Sequence, residues 1–353
     1  MSTGVPLSPP ATTRCRLPAR SRDRTKFLAL LAGAVLLIVA MATSLLLGAR
    51  PVAADVALQA LFGFDPTSVE HVIIRDYRLP RTLLGLLAGS AFGVSGALIQ
   101  AATRNPLADP GILGVNAGAA FFVIVAVGIL GLRTIDAYLG FAMLGAVVAT
   151  AVVYAVGANG REGATPMRLV LAGVALSAVL SGIGSSITLL DPQAFEQMRH
   201  WSIGSIAGRD MHIVAVVAPM IGAGLLLALA LARPLNAVAL GDELASTLGA
   251  GLGRTRIGVA IAVTLLAGGA TAAAGPVGFI GLMVPHAVRW FSGPDQRWIV
   301  ALTALFSPSL ILAADIAGRL LIAPDELEAG ILTALIGAPV LILLARRRKA
   351  TGL

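Results

Sequence analysis

Residues 257–288 read IGVAIAVTLLAGGATAAAGPVGFIGLMVPHAV and contain no Asp, Glu, Lys or Arg. As a single helix this run would measure about 48 Å, whereas about 20 residues are enough to cross a bilayer. The run also contains Gly275-Pro276, where proline lacks a backbone donor and clashes with the preceding helical turn. We therefore divide the run at this dipeptide into two shorter membrane segments.

The rest of the chain contains further stretches without these four charged residue types. They cover residues 27–49, 82–103, 111–132, 137–160, 169–190, 211–232, 298–314 and 329–345. The first stretch is longer than the roughly 7–15 apolar residues of a secretory signal, so it is interpreted as a membrane span. Together with the divided run, these stretches predict an all-α polytopic membrane protein with about ten transmembrane helices.

Composition supports a chain that is mostly surrounded by lipid. Of 353 residues, 57% are hydrophobic and only 12% are charged, about half the charged fraction of a soluble domain. Glycine is abundant at 40 residues, and Gly85, Gly89 and Gly93 recur every fourth position within one predicted span. Residues at that spacing share one helical face, so they predict a close helix–helix contact.

Basic residues concentrate at both ends of the chain, from Arg14 to Lys26 and from Arg346 to Lys349. Ten spans place both ends on one side, and the positive-inside tendency assigns both termini to the cytoplasm. Nine spans would leave one basic end outside. The net charge of +8 therefore reflects topology and does not predict a nucleic-acid partner. We predict a disordered basic cytoplasmic leader over residues 1–26 and a single transmembrane domain over residues 27–348.

Reactive side chains are sparse, which argues against an enzyme. Cys15 is the only cysteine, and the four histidines are scattered without metal-ligand spacing, so no metal site is predicted. For His286, near a membrane end, a packing or hydrogen-bonding role is favoured over ligation. The only lysines, Lys26 and Lys349, do not follow glycine, which excludes a P-loop for ATP.

Self-powered transport stays open as an alternative. A secondary transporter usually carries an ionisable residue inside a span, and none is evident in this sequence. That weakens the hypothesis of a self-sufficient secondary transporter or channel without excluding it, because backbone carbonyls can bind sodium.

A series of motifs follows along the chain. They are RLPR (78–81), RNPLADP (104–110) continuing into GVNAGA (114–119), LAGVAL (171–176), ALGD (239–242) with LG (248–249), GPVGFIGLMVPH (275–286), Asp315 with Arg319, and GAP (337–339). In this order they resemble the permease subunits of iron-siderophore, haem and vitamin B12 ABC importers, over roughly residues 27–348. Residues 78–119 and 197–201 look closest to ferric enterobactin-type permeases. Many members have Glu-Leu-Pro where this chain has Glu326-Leu327-Glu328, which weakens a vitamin B12 assignment and leaves the family intact.

The resemblance implies an importer built from several chains in the bacterial cytoplasmic (inner) membrane. This chain would be the multi-pass permease that translocates a ferric siderophore, paired with an identical or homologous second permease subunit. Two ATPase subunits would bind ATP and Mg²⁺, and a soluble or lipid-anchored binding protein would deliver substrate. The permease itself would bind no cofactor.

Three arginines, Arg78, Arg81 and Arg319, fall at the external face under the ten-span topology. The resemblance implies that they meet acidic residues of the binding protein, and a guanidinium fork suits a carboxylate in fixed geometry. Two alternatives remain from the residues alone. The arginines could reach lipid headgroups, or Asp315 and Arg319 could form a local i,i+4 pair.

The predicted cytoplasmic loop 233–256 carries a short helix signal. Gly241, Asp242 and Glu243 form an acidic start, and Leu248 and Gly249 close the segment. The resemblance implies that this loop is the coupling element seated on the ATPase. An ordinary capped loop helix would explain the acidic start equally well.

A last group of residues could interrupt helices near the pathway or line it. The pathway and hinge candidates are Gln100, Asn105, Pro106, Asn116, Gly275 and Pro276. Broken helices expose backbone groups that protein or a watery cavity must satisfy, so such breaks could serve as gating hinges. For Asn105-Pro106, simple termination between two spans explains the sequence equally well.

Overall fold

A computed structural model describes residues 19–48, 50–159, 165–247, 249, 251–323 and 325–347, and every regular element in these ranges is helical. The first half contains α1 (Ala19–Leu46), α2 (Ala54–Phe62), α3 (Val69–Val72), a π-helical turn (Ile73–Arg78), α4 (Leu79–Thr103), a 3₁₀ turn (Pro110–Leu113), α5 (Val115–Gly128), α6 (Ile135–Ala158) and α7 (Pro166–Leu190). The second half contains α8 (Pro192–Ile203), α9 (Met211–Val238), α10 (Asp242–Thr247), α11 (Leu252–Val263), a π-helical turn (Thr264–Gly268), α12 (Gly269–Ala274), α13 (Ile280–Ser292), α14 (Gln296–Leu321) and α15 (Ala329–Arg347).

Helix α4 forms the centre of the bundle. It is the most buried of the long apolar helices in the described part of the chain, because 83% of its most apolar 18-residue stretch lies inside the protein. Its glycine stripe lies against α14: a Cβ at Gly85 would come within 2.6 Å of Leu312, and one at Gly89 would overlap the backbone of Pro308. The close helix–helix contact predicted from the glycine spacing is confirmed.

The predicted division at Gly275-Pro276 is also confirmed. Helix α12 ends at Ala274, and α13 begins only at Ile280. Gly275 adopts φ 73°, a left-handed conformation that favours glycine, and a Cβ there would overlap the carbonyl oxygen of Trp201. The carbonyl of Ala274, left free by the break, accepts from the Ser205 N–H at 2.7 Å.

Length and hydropathy alone give fewer spans than the sequence predicts. In the described part of the chain, seven helices are long and apolar enough to cross a membrane. Two further apolar helices, Val115–Gly128 and Ala329–Leu343, are shorter. The helix within the predicted span 111–132 is shorter than predicted. The first residues of this span form the 3₁₀ turn and Gly114 adopts φ 75°, so α5 starts only at Val115.

Two segments differ from the sequence-based expectation. Helix α1 begins at Ala19, inside the predicted disordered leader 1–26, whereas residues 1–18 lie outside the described part. The segment between α1 and α4, for which the sequence analysis predicted no element, folds into α2, α3 and a π turn. A small satellite core holds this segment together, formed by Val52, Ala57, Ala60 and Ile74.

Candidate functional site

The predicted external arginines lie where the C-terminal end of α1 meets α4 and α14. Arg78 is 7% exposed and donates to the carbonyls of Leu45 and Leu46 at 2.7 and 2.9 Å, and also to the carbonyl of Arg50. Arg319 is 3% exposed and donates to the carbonyls of Ser44 and Leu47 at 3.1 and 2.9 Å. A helix end leaves its last carbonyls without helical partners, and these two side chains satisfy four consecutive ones.

Carboxylates balance the arginines at this end. Asp315 is 1% exposed and accepts from Arg81 through both of its oxygens, at 2.7–3.0 Å. Asp315 also pairs with Arg319 at 3.1 Å, and Arg81 reaches Glu326 at 2.7 Å. The Ser44 and Thr82 hydroxyls hydrogen-bond at 2.8 Å beneath these groups. We call Arg78, Arg81, Arg319, Asp315 and Glu326 the arginine cluster.

Two of the three predicted docking arginines are buried within the arginine cluster. Arg78 and Arg319 were expected to present their guanidinium groups to a partner, but both are buried and bonded to backbone carbonyls of α1. Both side chains hold the end of α1 in this structure, and the docking role stays a prediction. The alternative i,i+4 pair of Asp315 with Arg319 is confirmed. Arg81, 11% exposed, and Glu326, 38% exposed, are the cluster members nearest solvent.

The predicted coupling segment lies at the opposite end of α4. Helix α4 has 25 residues, so its ends are about 37 Å apart. Arg104, which follows it in a left-handed conformation, lies 3.5 Å from an Asp242 carboxylate oxygen. Arg256, from the first turns of α11, pairs with the other Asp242 oxygen at 2.8 Å. Asp242 thus joins the end of α4 to the start of α11.

The short helix predicted for the coupling segment is confirmed as α10. Gly241 precedes it with φ 108°, and the Ala245 N–H donates to the Gly241 carbonyl at 2.9 Å. Gly249 follows with φ 77°, and its N–H donates to Ser246 at 3.0 Å. Glu243 is exposed, whereas Leu248 lies outside the described residues. The role of α10 and its flanking residues in coupling remains a prediction.

Two pathway candidates make interior contacts between helices. Gln100 is buried; its amide nitrogen donates to the Gly281 carbonyl at 2.8 Å, and its oxygen accepts from Arg289 at 2.6 Å. The Asn116 side-chain oxygen accepts from the Thr271 hydroxyl at 3.0 Å. Gln100 therefore joins α13 to α4, and its role in the pathway stays a prediction.

The two proline dipeptides behave alike, because both stand where helices end. Helix α4 ends at Thr103, so Asn105-Pro106 lies in the connection to the next span, as the termination alternative predicted. The Asn105 side chain accepts from the Leu107 N–H at 3.0 Å. In the same connection, burial raises the pKa of Asp109, partly offset by the hydrogen bond from the Gly111 N–H. Pro276 lies in the break between α12 and α13.

The partners of these residues were missed by the sequence interpretation. Arg104 and Arg256 had no assigned role, nor did Arg289. His212 and Asp136, 3.2 Å apart, join the first turns of α9 and α6 without having been singled out. The available signal for Arg104 was its position, because it directly follows the predicted span 82–103. His286 contacts Trp290 edge-on, with ring centroids 5.7 Å apart, which agrees with the favoured packing role.

Comparison with known proteins identifies the family. A profile of the FecCD transport family matches residues 36–347. The chain belongs to the FecCD transport family. The resemblance inferred from the motifs is therefore confirmed, and the membrane-embedded bundle with an ion-paired cluster at one end and a short loop helix at the other is a FecCD-type permease.

Individual FecCD relatives match over almost their full length. The chain is 48% identical over 319 residues to the ferric enterobactin transport system permease protein FepD of Escherichia coli, covering 90% of this chain and 95% of FepD. It is 37% identical to the probable siderophore transport system permease protein YfiZ of Bacillus subtilis, covering 92% of this chain and 97% of YfiZ. A solved metal-chelate type ABC transporter in an inward-facing conformation matches with a TM-score of 0.79 at 26% identity, covering 91% of this chain and 99% of that one.

Proposed function

We propose that this chain is the membrane-spanning subunit of an ATP-driven importer of ferric siderophores in the bacterial cytoplasmic membrane. The observation that carries the proposal is the 48% identity with a ferric enterobactin permease over 90% of the chain. Two partner ATPases would bind ATP and Mg²⁺, in keeping with a sequence that carries no P-loop. The chain would supply the passage through the bilayer.

The proposed topology has ten spans and two cytoplasmic termini. The seven long helices, the two shorter apolar helices and α13 supply the spans. Both ends of the chain are basic, and an even number of spans keeps them on the cytoplasmic side. This topology puts the arginine cluster outside and Asp242 inside, at opposite ends of α4.

We propose that the exposed face of α7 contacts a second permease subunit and lines the pathway. Only 11% of the most apolar 18-residue stretch of α7 is buried. The exposed residues of α7 include Ser181, Gly182, Ser185 and Ser186. Helix α1 is similarly exposed and presents large apolar side chains such as Leu31, as α7 also does at Leu171 and Leu190. The run of small and hydroxyl residues at 181–186 is what distinguishes α7. Small and hydroxyl residues favour close helix approach or a watery lining.

At the external face, we infer that a binding protein docks over Arg81 and Glu326. These two cluster members reach the surface, and exposed ion pairs contribute register and encounter rate more than affinity. Arg78 and Arg319 would shape this surface indirectly, because they hold the end of α1 in place. At the cytoplasmic face, α10 with Asp242 would sit on the ATPase.

Uptake by cells tests the proposal. A strain lacking the gene is supplied with ferric enterobactin, a ferric hydroxamate or ferric citrate, each labelled with radioactive iron. Uptake of at least one siderophore chelate is expected to fall to background and to return with the wild-type gene. Equal uptake of every chelate with and without the gene would contradict the proposal.

A further inference from the structure

A groove runs along the outside of the bundle between α6 and α11. Its volume is about 360 Å³. Thr150, Ala260 and Thr264 form a buried floor, and Val147, Ile257 and Ile261 form a rim of side chains about half exposed. The Thr150 and Thr264 hydroxyls donate to carbonyls of their own helices at 2.9 and 2.8 Å, so the floor presents methyl groups. We call this feature the α6–α11 groove.

The α6–α11 groove has the length of part of a lipid chain. On α6 it extends from Val147 to Tyr154, about 11 Å along the helix axis. One leaflet of the hydrocarbon core is about 15 Å thick, so the groove spans much of a leaflet. Helix α6 is long enough to cross the bilayer, and so is the span Leu252–Ala274 that begins with α11. At this depth the groove must be filled by apolar groups, because water is absent there.

A positive charge stands at one end of the groove. Arg254 is exposed and precedes Ile257 and Ile261 by three and seven residues, which places it on the helical face that forms the rim. It has no ion-pair partner among the described residues, and no carboxylate lines the groove. The nearby carboxylate of Asp242 is held by Arg104 and Arg256.

We propose that the α6–α11 groove binds one anionic phospholipid, with an acyl chain between the two helices and the phosphate at Arg254. The phospholipid would belong to the cytoplasmic leaflet, and this choice of leaflet rests on the topology proposed above. The branched rim argues against a second copy of the chain, because close helix contacts in membranes use small residues, as on α7. The α6–α11 groove is apolar, as an acyl chain is, and the cation at its end suits a phosphate, so the two features together favour a phospholipid.

Native mass spectrometry of the purified importer complex tests the groove directly. The complex is reconstituted with equal amounts of phosphatidylglycerol and phosphatidylethanolamine that share the same acyl chains. The wild type is expected to retain phosphatidylglycerol selectively. Arg254→Gln is expected to lower its occupancy about fivefold, the effect of one basic residue at a lipid surface.

Steric variants separate the groove from general lipid contact. Ala151 lines the groove and is exposed, so Ala151→Phe fills the slot from its side and is expected to abolish selective retention. Ala155→Phe, one turn away on α6 and outside the lining, and Arg297→Gln, at another exposed arginine, serve as matched controls. Both controls are expected to retain the lipid as the wild type does.

Two results would overturn the proposal. One is equal lipid occupancy in the wild type, the groove variants and the controls. The other is a disulfide between two copies of an Ala151→Cys, Cys15→Ser chain in membranes, which would make the groove a protein interface. Neither result depends on iron uptake. Equal uptake of every chelate with and without the gene, together with retained lipid selectivity, would instead contradict the proposed function and leave the groove proposal standing.

Discussion

At the residue scale, the arginine cluster shows how this fold accommodates buried charge. A carbonyl at a helix end that cannot reach water needs a donor from the protein. Arg78 and Arg319 supply these donors for four successive carbonyls of α1, and Asp315 compensates the charge of Arg81 and Arg319. The cluster therefore links α1, α4 and α14 at one end of the bundle.

Asp315→Asn is expected to destabilise the protein by about 3–5 kcal/mol, because it removes the buried counter-charge of Arg319 and leaves Arg81 paired only with the partly exposed Glu326. The measurement is the free energy of unfolding in mixed micelles titrated with SDS. Glu326→Gln is the control: its carboxylate is 38% exposed, so a loss below about 1 kcal/mol is expected. Equal losses for the two variants would show that burial does not decide the energetics of the cluster.

Asp242 links α4, α10 and α11 at the end of the bundle that is proposed to be cytoplasmic. Asp242→Asn removes the charge that holds Arg104 and Arg256, so α10 would lose its fixed position against α4 and α11. ATP-dependent uptake is expected to fall at least fivefold while the amount of protein in the membrane stays unchanged. Glu243→Gln, at the exposed neighbour, should transport normally. Normal transport by Asp242→Asn would remove the aspartate from the coupling hypothesis.

At the element scale, the glycine stripe of α4 sets the distance to α14. A Cβ at Gly89 would lie within 2.9 Å of three Pro308 atoms, so Gly89→Ala is expected to cost about 1–3 kcal/mol through overpacking. Gly140 on α6 faces open space, and Gly140→Ala should leave stability unchanged or raise it by up to about 1 kcal/mol. Thermal unfolding in detergent measures both. A loss of the same size at both positions would contradict the packing account.

Local features of the chain were predictable from sequence, and long-range pairings were not. The break at Gly275-Pro276, the glycine face of α4 and the short helix α10 depend on backbone chemistry within a few residues, so the residue types reveal them. The Arg81–Asp315 pair joins positions 234 apart, and nothing local distinguishes it from two exposed charges. For the same reason, the sequence did not reveal that the Gln100 side chain bonds to α13.

Span boundaries failed where apolar composition and helix geometry diverge. The stretch 111–132 is uninterrupted by charge, yet its start is a 3₁₀ turn, and α5 has only 14 residues. Helices α2, α3 and α8 are missing from the sequence prediction because they are too short or too polar for a criterion based on membrane length.

At the scale of the whole molecule, topology can be tested with the natural thiol. Cys15 is the only cysteine and precedes the first span. A membrane-impermeant maleimide should label Cys15 only after the inner membrane of spheroplasts is opened, since the proposed topology puts this end in the cytoplasm. A Gly131→Cys, Cys15→Ser chain should be labelled in intact spheroplasts, because that loop is proposed to be external. The opposite pattern would reverse the topology.

The central claim is that this permease provides the passage and a partner ATPase provides the energy. Its most direct test is uptake of radiolabelled ferric siderophore into proteoliposomes that contain the permease, the ATPase and the binding protein. We expect uptake only with ATP on the ATPase side, and none when the P-loop lysine of the ATPase is substituted. Uptake by the permease alone, driven by an ion gradient without ATP, would contradict the account.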